Sequence, residues 1–329
     1  MRECLAPFAK YRVLVTGSRG KSSLVRLIFA GLSAGGTETR GRVTGVLPRE
    51  LCPGGERRIV RNSPGHVEEM RWWLRQIPRD AEAVVMENSA VQPDLQGLAA
   101  LWLRPVLTVW TNAREDHQDA WGPGPDAAFS SLLRGVPEGC ALLLSAELGT
   151  DRLARRLKER KGPLFVLEKD GRDYRESNLL LAEKALELLG RSSENARAAM
   201  RALPPDIADF RVFRLKDDDT RLAAAFSAND LQSTEHLFSL LGWTEAETSV
   251  LFADRDDRRA RRESFSPFLT RRWREVRIAD KREDPRAITG WMGGGKKVFG
   301  CGNVAGFPLE ILLSLLKEGC EWTLPAASV

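Results

Sequence analysis

The sequence predicts an α/β protein of two domains, the larger built on a mostly parallel sheet. Three observations carry that expectation. Short apolar runs alternate with longer amphipathic stretches from residue 11 to residue 190, the signature of repeated βαβ units. The chain has 329 residues, more than one ordinary core organises. Adjacent prolines in "RALPPDIADFR" cannot sit inside a helix or a central strand, so they mark a boundary. The expected domains are residues 1–204 and 205–329.

In the first domain, strands are expected at residues 12–16, 83–87, 106–112, 141–145 and 164–167, each a short apolar run. Helices are expected at 22–34, 66–76, 126–133, 152–160 and 176–189; the last has apolar positions at Leu179, Leu180, Ala182, Leu186 and Leu189. The second domain opens with strands at 211–215 and 221–226, a hairpin around "KDDD". A helix at 232–241, a strand at 249–252 and the charged run "DRDDRRARR" follow. The stretch "KKVFGCGNVAGFPLEILLSLLKEG" then reads as strand, glycine turn and amphipathic helix, completing a smaller α/β unit of Rossmann-like type.

Composition narrows the class. Hydrophobic residues make up 43% and charged residues 29%, which is ordinary for a globular protein. No run reaches the roughly 18 apolar residues of a membrane span. The start "MRECLAPFAKYR" has no signal-peptide pattern, so a cytoplasmic location is expected. Cys4, Cys52, Cys140, Cys301 and Cys320 are scattered without a C-x-x-C pair, the pattern of reduced thiols. The net charge of +5 suits a polyanionic ligand or a solvated surface equally. No basic stripe is interleaved with aromatics, so nucleic acid is not expected as a partner.

Chemistry concentrates in three stretches. In "YRVLVTGSRGKSSLVRLIF" an apolar strand runs through Thr16, Gly17, Ser18, Arg19, Gly20, Lys21, Ser22 and Ser23 into a helical pattern. Backbone N–H groups and a helix N-terminus would face an anion there, with Lys21 on the terminal phosphates and Ser22 on Mg²⁺. The common phosphate loop, G-x-x-x-x-G-K-[ST], needs a glycine at position 15, and Val15 stands there. An ordinary βα turn with a chance G-K-S is the alternative. In "AEAVVMENSAVQPDLQ" a strand delivers Glu87 to the carboxyl edge of the sheet, where ligands bind in open α/β folds. In "VLTVWTNAREDHQDAWG" a strand leads to Thr111-Asn112 and then to His117 between Asp116 and Asp119, a candidate metal or phosphate site.

Together these stretches resemble the ATP-binding domain of the Mur ligase superfamily. Its loop is T-G-[TS]-x-G-K-[ST], in which Val15 is ordinary, and its T-N-x-x-x-D-H-x-D segment matches residues 111–119. The branch that the chain resembles is that of the poly-γ-glutamate synthase catalytic subunits. Arg19 before the glycine, "GRVTGVLPRE", "NSAVQPDLQ" and "EDHQDAWGPGPDA" are similar to that branch's segments. So are "PPDIADFRV", "ANDLQSTEHLF", "ADRDDRRARRESF" and "VFGCGNVAGFPLEI" in the second domain.

The resemblance implies a Mur-ligase-like ATPase domain followed by the smaller α/β domain, and an ATP-dependent amide ligase acting on glutamate through its γ-carboxylate. It implies that Lys21 and the loop amides hold the phosphates, and that Ser22, Glu87 and His117 surround Mg²⁺. Asn178 would meet adenine, with a helix N-cap as its alternative role. Asn229 and Asp230 would close over ribose or phosphates. Arg255 and Arg258 would meet acidic substrate or nucleotide, unless that charged run is a solvated face. Arg42 and Thr44 would line the substrate site. No lysine occurs between Lys21 and Lys158, so the carbamylated lysine of many superfamily members is missing. Asn88-Ser89 replaces the branch's usual Cys-Met. The branch's hydrophobic membrane anchor is not expected here. Expected partners are glutamate or an acidic poly-amino acid, with membrane subunits of a polymer synthase recruiting the chain to the inner membrane face, or a homo-oligomer, as further options. Two alternatives stay open: a same-fold ligase for another acidic amino acid or peptide, and a non-catalytic ATP-binding subunit.

Overall fold

A computed structural model describes residues 4–62, 64–149, 157, 160–171, 173–216, 218–228, 230–256 and 259–325. The expected helix at 152–160 lies almost wholly outside the described residues. Contacts divide the chain into two compact units, Met1–Pro204 and Pro205–Val329.

The first unit is an eight-stranded sheet in the order β4-β3-β2-β5-β1-β6-β7-β8. Its strands are β1 Tyr11–Thr16, β2 Thr39–Val43, β3 Arg49–Cys52, β4 Gly55–Arg58, β5 Ala83–Glu87, β6 Leu107–Trp110, β7 Ala141–Leu144 and β8 Leu164–Val166. All pair in parallel except the β2-β3-β4 edge, which is antiparallel. Central strands of a parallel sheet are buried on both faces, which is why "VLV" and "AVVM" read as unbroken apolar runs. Val13, Val15, Val43 and Val85 pack on one face against α1 (Lys21–Ala34), α6 (Tyr174–Leu188) and α7 (Glu194–Ala202). Leu14, Val84 and Met86 pack on the other against α2 (Glu68–Arg75) and α3 (Gly97–Leu103). The short α4 (Gln118–Trp121) and α5 (Pro125–Leu133) follow β6, and Trp110 stacks on Phe129 of α5.

Several elements depart from expectation for physical reasons. The strand expected at 106–112 ends at Trp110, because Thr111 and Asn112 turn away to hold the loop described below. The β3–β4 hairpin is not expected from the sequence: every residue of β4, "GERR", is exposed and there is no apolar alternation. Cross-strand ion pairs, Arg49 with Glu56 and Arg57 with Glu50, hold it instead. The helix α7 buries only Ala196 and Met200, so its apolar signal is thin, while Ser193 caps its start. The helix α6 begins earlier than expected, because Asp173 accepts from the N–H groups of Arg175 and Glu176. That makes Asn178 an interior residue of α6 and rules out its alternative role as N-cap. Asp173→Ala is expected to lower stability by about 1 kcal/mol, the usual cost of removing such a cap, as read by urea unfolding.

The second unit is a six-stranded sheet in the order β12-β11-β13-β10-β9-β14. It comprises β9 Val212–Arg214, β10 Arg221–Ala224, β11 Thr248–Asp254, β12 Glu275–Asp280, β13 Lys297–Cys301 and β14 Trp322–Thr323. Four strands are parallel; β9 and β14 add antiparallel at one side. Helices α8 (Leu231–Ser239), α9 (Arg259–Leu269), α10 (Pro285–Met292) and α11 (Phe307–Lys317) complete it. Phe213, Phe226, Ile288 and Phe307 lie in its core. The glycines of "VFGCGNVAGF" are explained by packing. A Cβ on Gly306, whose φ is 88°, would lie 2.1 Å from the Lys281 carbonyl oxygen. Among the described residues no disulfide links the five cysteines.

Candidate active site

The end of β1 and the start of α1 build a tight loop from Thr16 to Ser22. Gly17 has φ 134°, and a Cβ there would lie 2.0 Å from Thr111 Oγ1; Gly20 has φ 77°. Both positions therefore demand glycine. The end of β6 braces the loop from beneath. Thr111 Oγ1 donates to the Arg19 carbonyl at 2.6 Å. Asn112 Oδ1 accepts from Ser18 Oγ at 2.7 Å and from the Arg19 N–H at 3.0 Å. The Asn112 carbonyl accepts from the Ser18 N–H at 3.1 Å. Asn178 closes the other side, its amide group 3.1 Å from where a Gly20 Cβ would stand. Gly17→Ala is expected to cost about 1–3 kcal/mol, because the left-handed backbone and the Thr111 clash act together. Urea unfolding measures this, and an unchanged midpoint would contradict the bracing.

The loop is set up for an anion. The helix α1 has no acidic residue of its own in its first turn, where its N-terminal dipole favours an anion. Thr16 Oγ1 is buried and has no hydrogen-bond partner among the described residues. Lys21 Nζ donates to the Gly17 carbonyl at 2.7 Å and the Ser18 carbonyl at 3.3 Å. Burial pulls its ammonium below the usual lysine value, opposed by Glu87 and Asp116 and assisted by Arg19.

Glu87, at the end of β5 and only 2% exposed, stands beside the loop. Its Oε2 accepts from Ser22 Oγ at 2.6 Å. Its Oε1 accepts from both the N–H and the hydroxyl of Thr44. The expectation that Thr44 lines the substrate site thus meets a different geometry: its polar groups face Glu87. Arg42 is 1% exposed and pairs with Glu69 at 2.9 Å.

Asp116, to which the motif assigns no role, is a hub in the structure. Its Oδ2 lies 3.3 Å from Arg19 Nη1 and 3.5 Å from His117 Nε2, and its Oδ1 accepts from the His117 N–H at 2.9 Å. Burial pushes the carboxyl up, but Arg19, His117 and Lys21 outweigh it and hold Asp116 below the ordinary aspartate value. His117 has a left-handed backbone, φ 47°, and its ring meets Trp121 edge-on at 5.1 Å. The geometry thus joins Ser22 to Glu87 and gives His117 to Asp116. Among the described residues no three His, Cys, Asp or Glu side chains form a metal-ligand group. A carboxylate and a hydroxyl are nevertheless the hard oxygens that Mg²⁺ takes when phosphates supply the rest.

In the second unit, Asp230 caps α8, its Oδ1 accepting from the Ser233 N–H at 2.7 Å. The Arg255 N–H donates to Asp254 Oδ1 at 2.8 Å, at the carboxyl end of β11. Asn229 and Arg258 lie outside the described residues.

Comparison with known proteins places the chain in a family. The family model described as the Mur ligase middle domain matches residues 15–201, and that of the poly-gamma-glutamate synthase CapB C-terminal domain matches residues 211–279. The chain is 27% identical over 275 residues to the PGA synthase CapB of Bacillus subtilis (strain 168), covering 78% of this chain and 70% of that protein. It is 28% identical over 275 residues to the capsule biosynthesis protein CapB of Bacillus anthracis, covering 78% of this chain and 59% of that longer protein. Among solved structures, the FPGS-AMPPCP complex aligns with TM-score 0.65 at 13% identity, over 94% of this chain and 93% of that one. MurF from Acinetobacter baumannii aligns with TM-score 0.61 at 12% identity, over 95% and 77%. At such low identity these two speak for the fold. The family model spans more than half of the chain and contains the whole loop, its carboxylate and its bracing strand end: the chain belongs to the Mur ligase family.

Proposed function

We propose that the protein is an ATP-dependent carbon–nitrogen ligase that activates a glutamate γ-carboxylate and joins it to an amino group, as in poly-γ-glutamate synthesis. The observation that carries this reading is the grouping of Lys21, Ser22 and Glu87, with Ser22 Oγ 2.6 Å from the Glu87 carboxylate at the mouth of the loop. A nucleotide-binding module needs the loop; a phosphoryl-transfer site also needs the carboxylate beside it. The family description that matches residues 211–279, poly-gamma-glutamate synthase CapB C-terminal domain, supports glutamate as the substrate class.

The chemistry follows from placement. A carboxylate oxygen attacks the γ-phosphorus of ATP, the bond to the ADP oxygen breaks, and an acyl phosphate forms. A neutral amine then attacks the acyl carbon, phosphate leaves, and the amine proton passes to solvent or a nearby base. The loop amides and Lys21 bind the terminal phosphates and offset charge that spreads over the transferring oxygens. Ser22 and Glu87 are the residues that would hold Mg²⁺, which supplies charge neutralisation at the phosphates; His117 is the remaining proposed ligand. Thr44 fixes the Glu87 carboxylate and Asn112 fixes the loop, so that neither reorganises during reaction. Asn178, against Gly20, is proposed to border the nucleotide. Asp230 and Arg255 of the second unit are proposed to contact nucleotide or substrate. No helix among the described residues is long and apolar enough to cross a membrane. Association with membrane subunits of a polymer synthase is part of the proposal.

ADP release by the purified protein with Mg·ATP, scanned over L- and D-glutamate, aspartate and neutral amino acids, tests this. Stimulation by glutamate is expected. Stimulation by a different acidic amino acid would change the substrate, and ATP binding without any amino-acid-dependent turnover would overturn the ligase reading.

A further inference from the structure

A cluster of charged side chains gathers around Glu69 of α2, beside β2. Arg42, on β2, is paired in register with Met86, the residue before Glu87. Its neighbour Val43 packs with Val85 on the α1 face, whereas Arg42 itself pairs with Glu69 of α2. The same Glu69 oxygen that takes Arg42 Nη2 at 2.9 Å also takes Arg61 Nε at 3.0 Å and Arg61 Nη2 at 2.7 Å. The other Glu69 oxygen is held by the His66 N–H at 3.1 Å. Two guanidinium groups therefore share one carboxylate whose acceptor sites are crowded.

The shortfall falls on Arg42. Its side chain is 1% exposed, and its Nη1 is buried without a hydrogen-bond partner among the described residues. Arginine stays protonated in proteins, so this donor cannot be neutralised by losing its proton. A buried charge with unmet donors is costly unless an anion completes it. Burial pulls the guanidinium below its ordinary value, Glu87 and Glu69 oppose this, and Arg61 adds repulsion.

We propose that Arg42 and Arg61, hinged on Glu69, form a subsite that binds an unreacting carboxylate of the acidic substrate. This rests on the ligase reading above and deepens it. A carboxylate fits better than a phosphate for a positional reason. The phosphate-binding groups Lys21 and Ser22 belong to α1, whereas Arg42 pairs with Glu69 of α2, so the arginine pair is separate from the groups that take phosphate. A planar guanidinium presents paired N–H groups that match the two oxygens of a carboxylate. Arg42 and Arg61 would set substrate affinity and orientation without touching the reacting atoms.

Calorimetric titration of the full chain with tri-γ-glutamate, with Mg·ADP saturating the phosphate loop, tests the subsite. The wild type is expected to bind. Arg61→Ala, at a side chain that is 26% exposed, is expected to weaken binding about tenfold or more, the loss of one charge-assisted fork. Arg42→Met should weaken it further, and Glu69→Gln, which removes the internal competitor, should strengthen it. Unchanged ADP affinity and melting temperature in Arg61→Ala show that the fold is intact; because Arg42 is buried, the decision rests on Arg61→Ala. Failure of the wild type to bind tri-γ-glutamate, equal binding by Arg61→Ala, or full displacement by inorganic phosphate at the same concentration overturns the subsite. Glutamate-dependent ADP release with unaltered Arg61→Ala affinity sinks the subsite alone. Tri-γ-glutamate binding that depends on Arg61, without turnover, sinks the ligase reading alone.

Discussion

Lys21→Ala is expected to lower ATP-dependent turnover by about a thousandfold, the upper range for removing one preorganised charge stabiliser, with the fold retained. The ammonium sits on the Gly17 and Ser18 carbonyls, so its removal deletes the cation held directly against the loop's glycine turn, whereas Arg19 is engaged by Asp116. Lys21→Arg should fare little better, because a planar guanidinium does not fit the place of a compact ammonium held by two carbonyls. The pH behaviour separates this residue from its neighbours. Burial holds the folded-state value below 10.5, so in the interval between the two the unfolded chain binds more protons. Stability therefore rises with pH there. Phosphate binding moves the opposite way, since the neutral amine no longer attracts phosphate. Urea unfolding and ADP titration over the same alkaline range should show opposed slopes in the wild type and neither slope in Lys21→Ala. Parallel slopes would mean that another group titrates.

Much of this fold is legible in the sequence, because sheet burial writes itself as composition. The strands β1, β5 and β7 are enclosed on both faces, so their apolar runs stand out against polar surroundings. What escapes is held by polar contacts. The hairpin β3–β4 depends on ion pairs between residues that look like a solvated charge run. The strand β12, "EVRIAD", is an edge strand with one buried residue, and its alternation does not distinguish it from a loop.

The site divides along the same line. Lys21, Ser22 and Glu87 are legible because the chemistry of phosphate binding constrains residue type at each position. Their partners are not, because the contacts span long stretches of chain. Thr44 reaches Glu87 across 43 positions, and Ser18 reaches Asn112 across 94. No local pattern encodes such pairs. Arg42 shows the limit from the other direction. Its position near the site could be anticipated from the segment around it, but its burial and its unmet donor could not, since both depend on α2 closing over β2.

Asp116→Asn is expected to destabilise the first unit by about 3 kcal/mol, in the range for deleting one partner of a buried ion pair. The carboxylate is 6% exposed and faces Arg19 and His117, with Lys21 close enough to add to the field. Its folded-state value lies below the ordinary 3.8, so its contribution is fully present above the unfolded value and is lost as pH falls through the folded one. The wild type should therefore lose stability steeply at the acid end, and Asp116→Asn should show a shallower acid limb from a lower plateau. A double-mutant cycle with Arg19→Met isolates the pair: if Asp116 acts by compensating Arg19, the double variant should be more stable than the sum of the single losses by about 1–3 kcal/mol. Additivity would instead place the role of Asp116 in orienting His117, whose left-handed backbone it braces through the His117 N–H.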